Sequence, residues 1–385
     1  MNTRSIELNL IAQDTIDLTG LISNLLKSSN SGVVCLGLLP YFALFAQETK
    51  NYFTIPKNII NNKYINTSLF ETYSRTTTKL RARVKLFDDT EGGLDRLIDT
   101  LSLVSNKSHK GIKKKIFRCL QPDLGIFYLN GHAICTTHIA LLTIGLTYEQ
   151  LQKIEFSDFV FLRDYSLNLS KSMGNYLKFI ANNLKDNGYI LPNNTKEQFI
   201  LSKFNISHND YFGYSLYKHI DSAMKINKDG LSATLLFLVC QINYVERVFS
   251  KLIPNSSIFL FRVRFLTAYH ATNAINQLSK MNGYFGNKEF ISFLETISNN
   301  FDSKKILELR NVRNSCAHYG IHISGINLIN SKKPFEDIIK NQSGFSLNDL
   351  SRLASRQLLC ISEAIEPFIS KNIFLKYKAV FGNHT

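Results

Sequence analysis

The chain of 385 residues has no tryptophan, so its large core side chains must come from 28 phenylalanines and 17 tyrosines. It has no CxxC pair. Its six cysteines (Cys35, Cys119, Cys135, Cys240, Cys316 and Cys360) are scattered, mostly inside apolar runs. That spacing excludes a dense disulfide framework and fits buried free thiols in a reducing compartment. The first 17 residues lack a basic start followed by an apolar core, so they do not read as a signal peptide. The apolar stretch from Gly32 to Ala46 is interrupted by Gly37 and Pro40 and is too short to cross a bilayer. Internal repeats and low-complexity tracts are missing, and alternating strand patterns are rare. These absences lead to the expectation of a soluble, cytoplasmic protein without a membrane partner.

What is present is hydrophobic content of 44% and a net charge of +15. The first supports a folded chain and the length favours two domains. The second favours a polyanionic partner, RNA above all, although a Lys-, Asn- and Ile-rich composition also arises from an AT-rich coding sequence. Apolar residues recur at three- and four-residue intervals over Ile16–Leu26, Ile134–Leu146, Ser166–Leu184, Leu231–Leu252 and Leu347–Phe368, which predicts an almost all-α protein. The alternating stretch Arg81–Phe87 is a candidate strand. Turn signals at Asp229-Gly230, Pro254-Asn255, Asn282-Gly283 and Gly320 divide residues from about 227 to 370 into four principal helices, a bundle layout. Ser257 is a candidate cap, and the helix that follows it is expected to run to about Met281. The chain therefore divides into a mainly helical region, 1–226, and a helical bundle, 227–385. The first holds 26 basic and 19 acidic side chains (+7) and the second 19 and 11 (+8), so charge is denser in the bundle.

One stretch carries specific chemistry: Arg313-Asn314-Ser315-Cys316-Ala317-His318, expected in a helix from about Ser303 to Tyr319. Histidine titrates near neutrality and can take or give a proton. Arginine offers a fixed positive fork for a phosphate whose charge grows during reaction. On an ideal helix Arg313 and His318 are roughly 140° apart, whereas Arg310, Asn314 and His318 share one stripe. Asn314 is thus placed to orient the imidazole, and Arg310 to extend the site by one turn.

The R-N-x-x-x-H pattern resembles the signature of the HEPN superfamily, in the form found in Abi-like abortive-infection proteins and type VI CRISPR effector nucleases. The resemblance covers about the C-terminal two-fifths of the chain. It is specific at six residues and architectural elsewhere. It implies an endoribonuclease that uses neither metal nor cofactor and leaves 2′,3′-cyclic phosphate and 5′-hydroxyl ends. His318 would be the acid/base, Arg313 the phosphate stabiliser and Asn314 the orienter. It also implies a homodimer that brings two motif copies to one cleft, a setting in antiphage defence, and a phage trigger or an antitoxin as further partners. The alternative is a non-catalytic HEPN-like module that binds RNA or protein.

Other signals are weaker. Arg264 and His270 satisfy the R-x4-6-H spacing, but a polar helix face with an ordinary core histidine explains them as well. His132, Cys135 and His138 lie three residues apart, yet a closed zinc site needs a fourth ligand, so structural roles are favoured. Glu246-Arg247 reads as an exposed ion pair. Two basic clusters, one including Arg81 and Arg83 and one including Lys113, Lys114 and Lys115, are candidates for tracking a phosphate backbone.

Overall fold

The computed structural model describes residues 3–26, 31–56, 61–62, 67–68, 94–95, 97–99, 101–102, 124–138, 159–189, 206–319 and 333–381. Of these, 77% are helical, so the protein is mostly α. The helices are α1 (Thr3–Leu25), α2 (Ser31–Thr49), α3 (Phe159–Asp186), α4 (Gly213–Met224), α5 (Leu231–Asn243), α6 (Ile258–Lys280), α7 (Lys288–Asn299), α8 (Phe301–Glu308), α9 (Arg310–Ala317), α10 (Pro334–Ser343) and α11 (Leu347–Phe381). A two-residue pair, β1 (Asn61–Asn62) and β2 (Thr67–Ser68), accompanies a second sheet of β3 (Leu124–Leu129), β4 (His132–Thr136) and β5 (Ile206–Tyr211). That sheet is antiparallel, with order β4-β3-β5.

Local chemistry explains most boundaries. Ser257 caps α6 by accepting from the Leu260 amide at 3.1 Å. Asn287 and Asn300 cap α7 and α8 in the same way. Each satisfies an amide that the first helical turn leaves without a partner. Gly344 ends α10 in the left-handed conformation, as C-terminal glycines commonly do. Asn130 and Gly131 both have positive φ, 52° and 83°, and join β3 to β4 as a tight hairpin. The expected helix over Ile134–Leu146 is therefore a strand up to Thr136, and residues 139–146 lie outside the described residues. The candidate strand Arg81–Phe87 also lies outside them.

Helix α6 is the centre of the bundle. It packs along α11 and also touches α1, α5, α7, α8 and α9. Nearly every face of it is covered, from Phe259 to Leu278. Helix α5 is equally enclosed. It continues through a π-helical stretch, Tyr244–Phe249, into a last turn, Ser250–Leu252. Residues Leu231–Leu252 are long and apolar enough to cross a membrane, but 83% of the apolar window is buried inside the protein, as in a core helix. One contiguous apolar cluster runs from Leu10 to Ile369 and so includes residues from both sides of position 226. Among the described residues Cys35, Cys135, Cys240 and Cys316 are buried free thiols and Cys360 is partly buried.

Gly230 starts α5 at φ 86°, and a Cβ there would lie 2.2 Å from the Ile98 carbonyl oxygen. Gly188 has a similar φ of 81° but open space around it. Gly188→Ala is expected to cost about 1 kcal/mol, the strain of the left-handed backbone alone. Gly230→Ala adds a backbone clash and should cost at least about 2 kcal/mol more, read from urea midpoints.

Candidate functional site

The motif sits on α9, a helix of only eight residues. The expected continuous helix from Ser303 to Tyr319 is instead two, α8 and α9, separated at Leu309 (φ −85°, ψ 47°). Val312 and Cys316, four residues apart, are fully buried and anchor α9 on its apolar side. The helix ends at Ala317. His318 is extended (φ −128°, ψ 148°), with its amide bonded to the Asn314 carbonyl at 3.1 Å.

This early ending changes which side chains meet. The stripe of Arg310, Asn314 and His318 requires helix through position 318, and the backbone leaves the helix there. The Asn314 side chain instead accepts from Arg313 Nη1 at 2.8 Å. Asn314 thus orients the arginine, while the imidazole meets a different group. The Arg313 guanidinium lies 5.3 Å from the centre of the Tyr269 ring on α6, a cation–π contact. Arg310, the first residue of α9, is exposed.

His318 Nδ1 lies 3.1 Å from Glu48 Oε1 on α2, 270 residues away in sequence. The imidazole side chain is 37% exposed and the Glu48 side chain only 10%. Glu48 belongs to a small polar group at this end of the protein. The Tyr52 phenol is held above its ordinary pKa by burial, by its hydrogen bond to Glu7, and by the charges of Glu7 and Glu48. Sequence reasoning missed Glu48, since nothing local marks it.

Beneath the motif lies a buried network. Arg262 Nη1 and the Tyr319 hydroxyl both donate to Asp14 Oδ2. Arg262 Nε donates to the Cys316 carbonyl at 2.9 Å, and the guanidinium sits 4.2 Å from the Tyr319 ring centre. One arginine of α6 thereby holds both the last turn of α9 and the residue that follows His318. Burial pushes the Asp14 carboxyl above the usual carboxylate range, while Arg262 and Tyr319 pull it back. Burial also pushes the Cys316 thiol up, to about 12, which keeps it protonated and inert beside the motif.

Arg264 is enclosed in the core, where Nε donates to Glu246 Oε1 at 2.8 Å and Nη1 to Ser351 Oγ at 2.9 Å. His270 is buried at 4% exposure beside Tyr269. Glu246 is correspondingly no surface ion-pair partner of Arg247: its side chain is 4% exposed and also accepts from Ser355. His132 pairs with Glu366 at 2.8 Å and His138 lies 3.3 Å from the Tyr217 hydroxyl, so the two histidines have separate partners. No group of three or more His, Cys, Asp or Glu among the described residues is arranged to hold a metal ion. Arg81, Arg83, Lys113, Lys114 and Lys115 lie outside the described residues. A cavity of about 680 Å³ opens beside α1, lined by Ile6, Leu10, Asp17, Ser257, Lys333 and Phe335 among others, and no motif side chain lines it.

The buried carboxylates have consequences for stability. Arg262→Met leaves Asp14 buried without its cation and should cost about 3–5 kcal/mol in urea unfolding; Asp14→Leu combined with Arg262→Met should recover most of that loss. Asp17 accepts from Ser257, and burial raises its pKa to about 6 from 3.8. The folded state therefore holds this proton more tightly than the unfolded state between those values. The contribution to stability is full below pH 3.8 and is lost as pH rises through 6. Asp17→Asn should thus be more stable than the parent at pH 7 and show a shallower fall in urea midpoint between about pH 4 and 7.

No protein-family model, no curated protein and no solved structure matches the chain.

Proposed function

We propose that the chain is an endoribonuclease whose reacting groups are Arg313 and His318. The observation that carries this reading is the arrangement of the motif end of α9. Arg313 is fixed by Asn314 and the Tyr269 ring, and His318 follows it, part-exposed, with a carboxylate on one ring nitrogen. The pattern's resemblance to HEPN nucleases and the excess of positive charge agree with it.

The chemistry is a transesterification within the RNA. The 2′-hydroxyl loses its proton to an imidazole and its oxygen attacks the adjacent phosphorus. The bond to the 5′-oxygen breaks, and that oxygen takes a proton from an acid. The products are a 2′,3′-cyclic phosphate and a 5′-hydroxyl, with no net consumption of water. Arg313 offsets the charge that builds on the non-bridging oxygens. One histidine performs one of the two proton transfers at a time, so a homodimer that faces two copies of the motif supplies both. The proposed setting is antiphage defence in the cytoplasm, with a phage trigger or an antitoxin controlling the nuclease. The His318–Glu48 pair also suits a second reading, a non-catalytic RNA- or protein-binding module in which this pair only ties α2 to α9.

The test is cleavage of mixed tRNA and an unstructured RNA in excess EDTA, comparing the parent with His318→Ala and Arg313→Ala. The expected result is cyclic-phosphate ends from the parent and at least about a 100-fold loss in each variant, the usual scale of a lost acid/base group. RNA binding without cleavage, unchanged by His318→Ala, would favour the binding module. Equal cleavage by all three would remove His318 and Arg313 from the chemistry.

A further inference from the structure

We propose that Glu48 is the positioning residue of His318, so that the N-terminal helices complete a site whose motif lies in the C-terminal bundle. The inference rests on the reading of His318 as the proton-transfer group. An ionised carboxylate only accepts hydrogen bonds, so the 3.1 Å contact to Nδ1 selects the neutral imidazole with its proton on Nδ1. Nε2, on the far side of the ring, then carries the lone pair and points away from Glu48. The carboxylate thereby fixes the tautomer and the orientation of the ring, as the acid partner of a catalytic histidine does.

Both sides of the pair are rigidly held, which a chance surface contact does not require. On the α2 side, the residues flanking Glu48 are clamped to α3: Tyr176 donates its hydroxyl to the Ala46 carbonyl at 3.1 Å and lies 2.7 Å from the Thr49 hydroxyl. On the other side, the residue after His318 is Tyr319, bonded to Asp14 and packed edge-on against Phe45 of α2 at 6.3 Å. One aromatic contact thus registers the helix that carries the carboxylate against the segment that carries the imidazole. The Glu48 side chain is 10% exposed while His318 keeps 37% of its side chain open, so the carboxylate backs the ring instead of covering it.

The test uses the full chain labelled with 15N-histidine, in the parent, Glu48→Gln and Glu48→Leu, with His318→Gln to assign the signal. At a pH where the ring is neutral, the parent should show His318 protonated on Nδ1, and Glu48→Leu should shift it toward protonation on Nε2. In the RNA cleavage assay, Glu48→Gln should lower kcat about 10- to 100-fold with KM within about 2-fold, the pattern of a lost orienting partner. Thermal midpoints of the variants establish that they fold. An unchanged tautomer in Glu48→Leu overturns the proposal. A higher kcat in Glu48→Gln also overturns it, and makes the carboxylate an occluder of the site. Failure of the parent to cut RNA would defeat the ribonuclease reading, while the tautomer measurement still decides whether Glu48 sets the ring.

Discussion

A helix covered on nearly every face has no place for charge unless other elements bring the counter-charge. Helix α6 carries two buried arginines, Arg262 and Arg264, and the surrounding packing answers that constraint. Arg262 draws Asp14 and hence α1 to one side of the bundle; Arg264 draws Glu246 of the π-helical stretch, with Ser351 of α11, to another. Desolvating such pairs makes them weak sources of net stability, but an unpaired partner would be very unfavourable, so they specify which elements meet. The apolar cluster then fills around these fixed points.

The same network gives the short α9 its shape. Eight residues are too few for a helix to stand on its own propensity, and no side chain caps its start. Val312 and Cys316 seat it in the core, and the Arg262 bond to the Cys316 carbonyl takes up an acceptor that its last turn would otherwise leave open. The polar side, with Arg310, Arg313 and Asn314, is what remains outward. Local pattern and tertiary packing therefore act at different ranges: the anchors of α9 come from its own sequence, and its clamp from α6 and α1.

That difference in range decides what was legible in the chain beforehand. The mostly helical character, the Ser257 cap, the extent of α6, the starts of α5 and α11 and the burial of Cys35, Cys135, Cys240 and Cys316 follow from short-range patterns, whereas α11 runs on to Phe381, past the expected end at Phe368. The Asn130-Gly131 dipeptide, flanked by Ile126 to Leu129 and Ala133 to Cys135, was a hairpin signal overridden by the apolar spacing over Ile134–Leu146. The break at Leu309 had no proline or glycine to announce it. Glu246 looked like half of a surface pair because its partner, Arg264, is 18 residues away on another helix. Glu48 meets His318 across 270 residues and Asp14 meets Tyr319 across 305, and no short window of sequence contains both members of either contact.

Arg262 and Arg264 stand two positions apart, which on a helix is roughly 200° of rotation. The two arginines therefore leave α6 on opposite sides, and each has its own carboxylate waiting on a different element. Inserting or deleting a single residue between Arg262 and Arg264 would turn one arginine relative to the other by roughly 100° and take a guanidinium away from its carboxylate. The helix therefore admits almost no change in length between its two arginines, whatever the volume of the side chains around it.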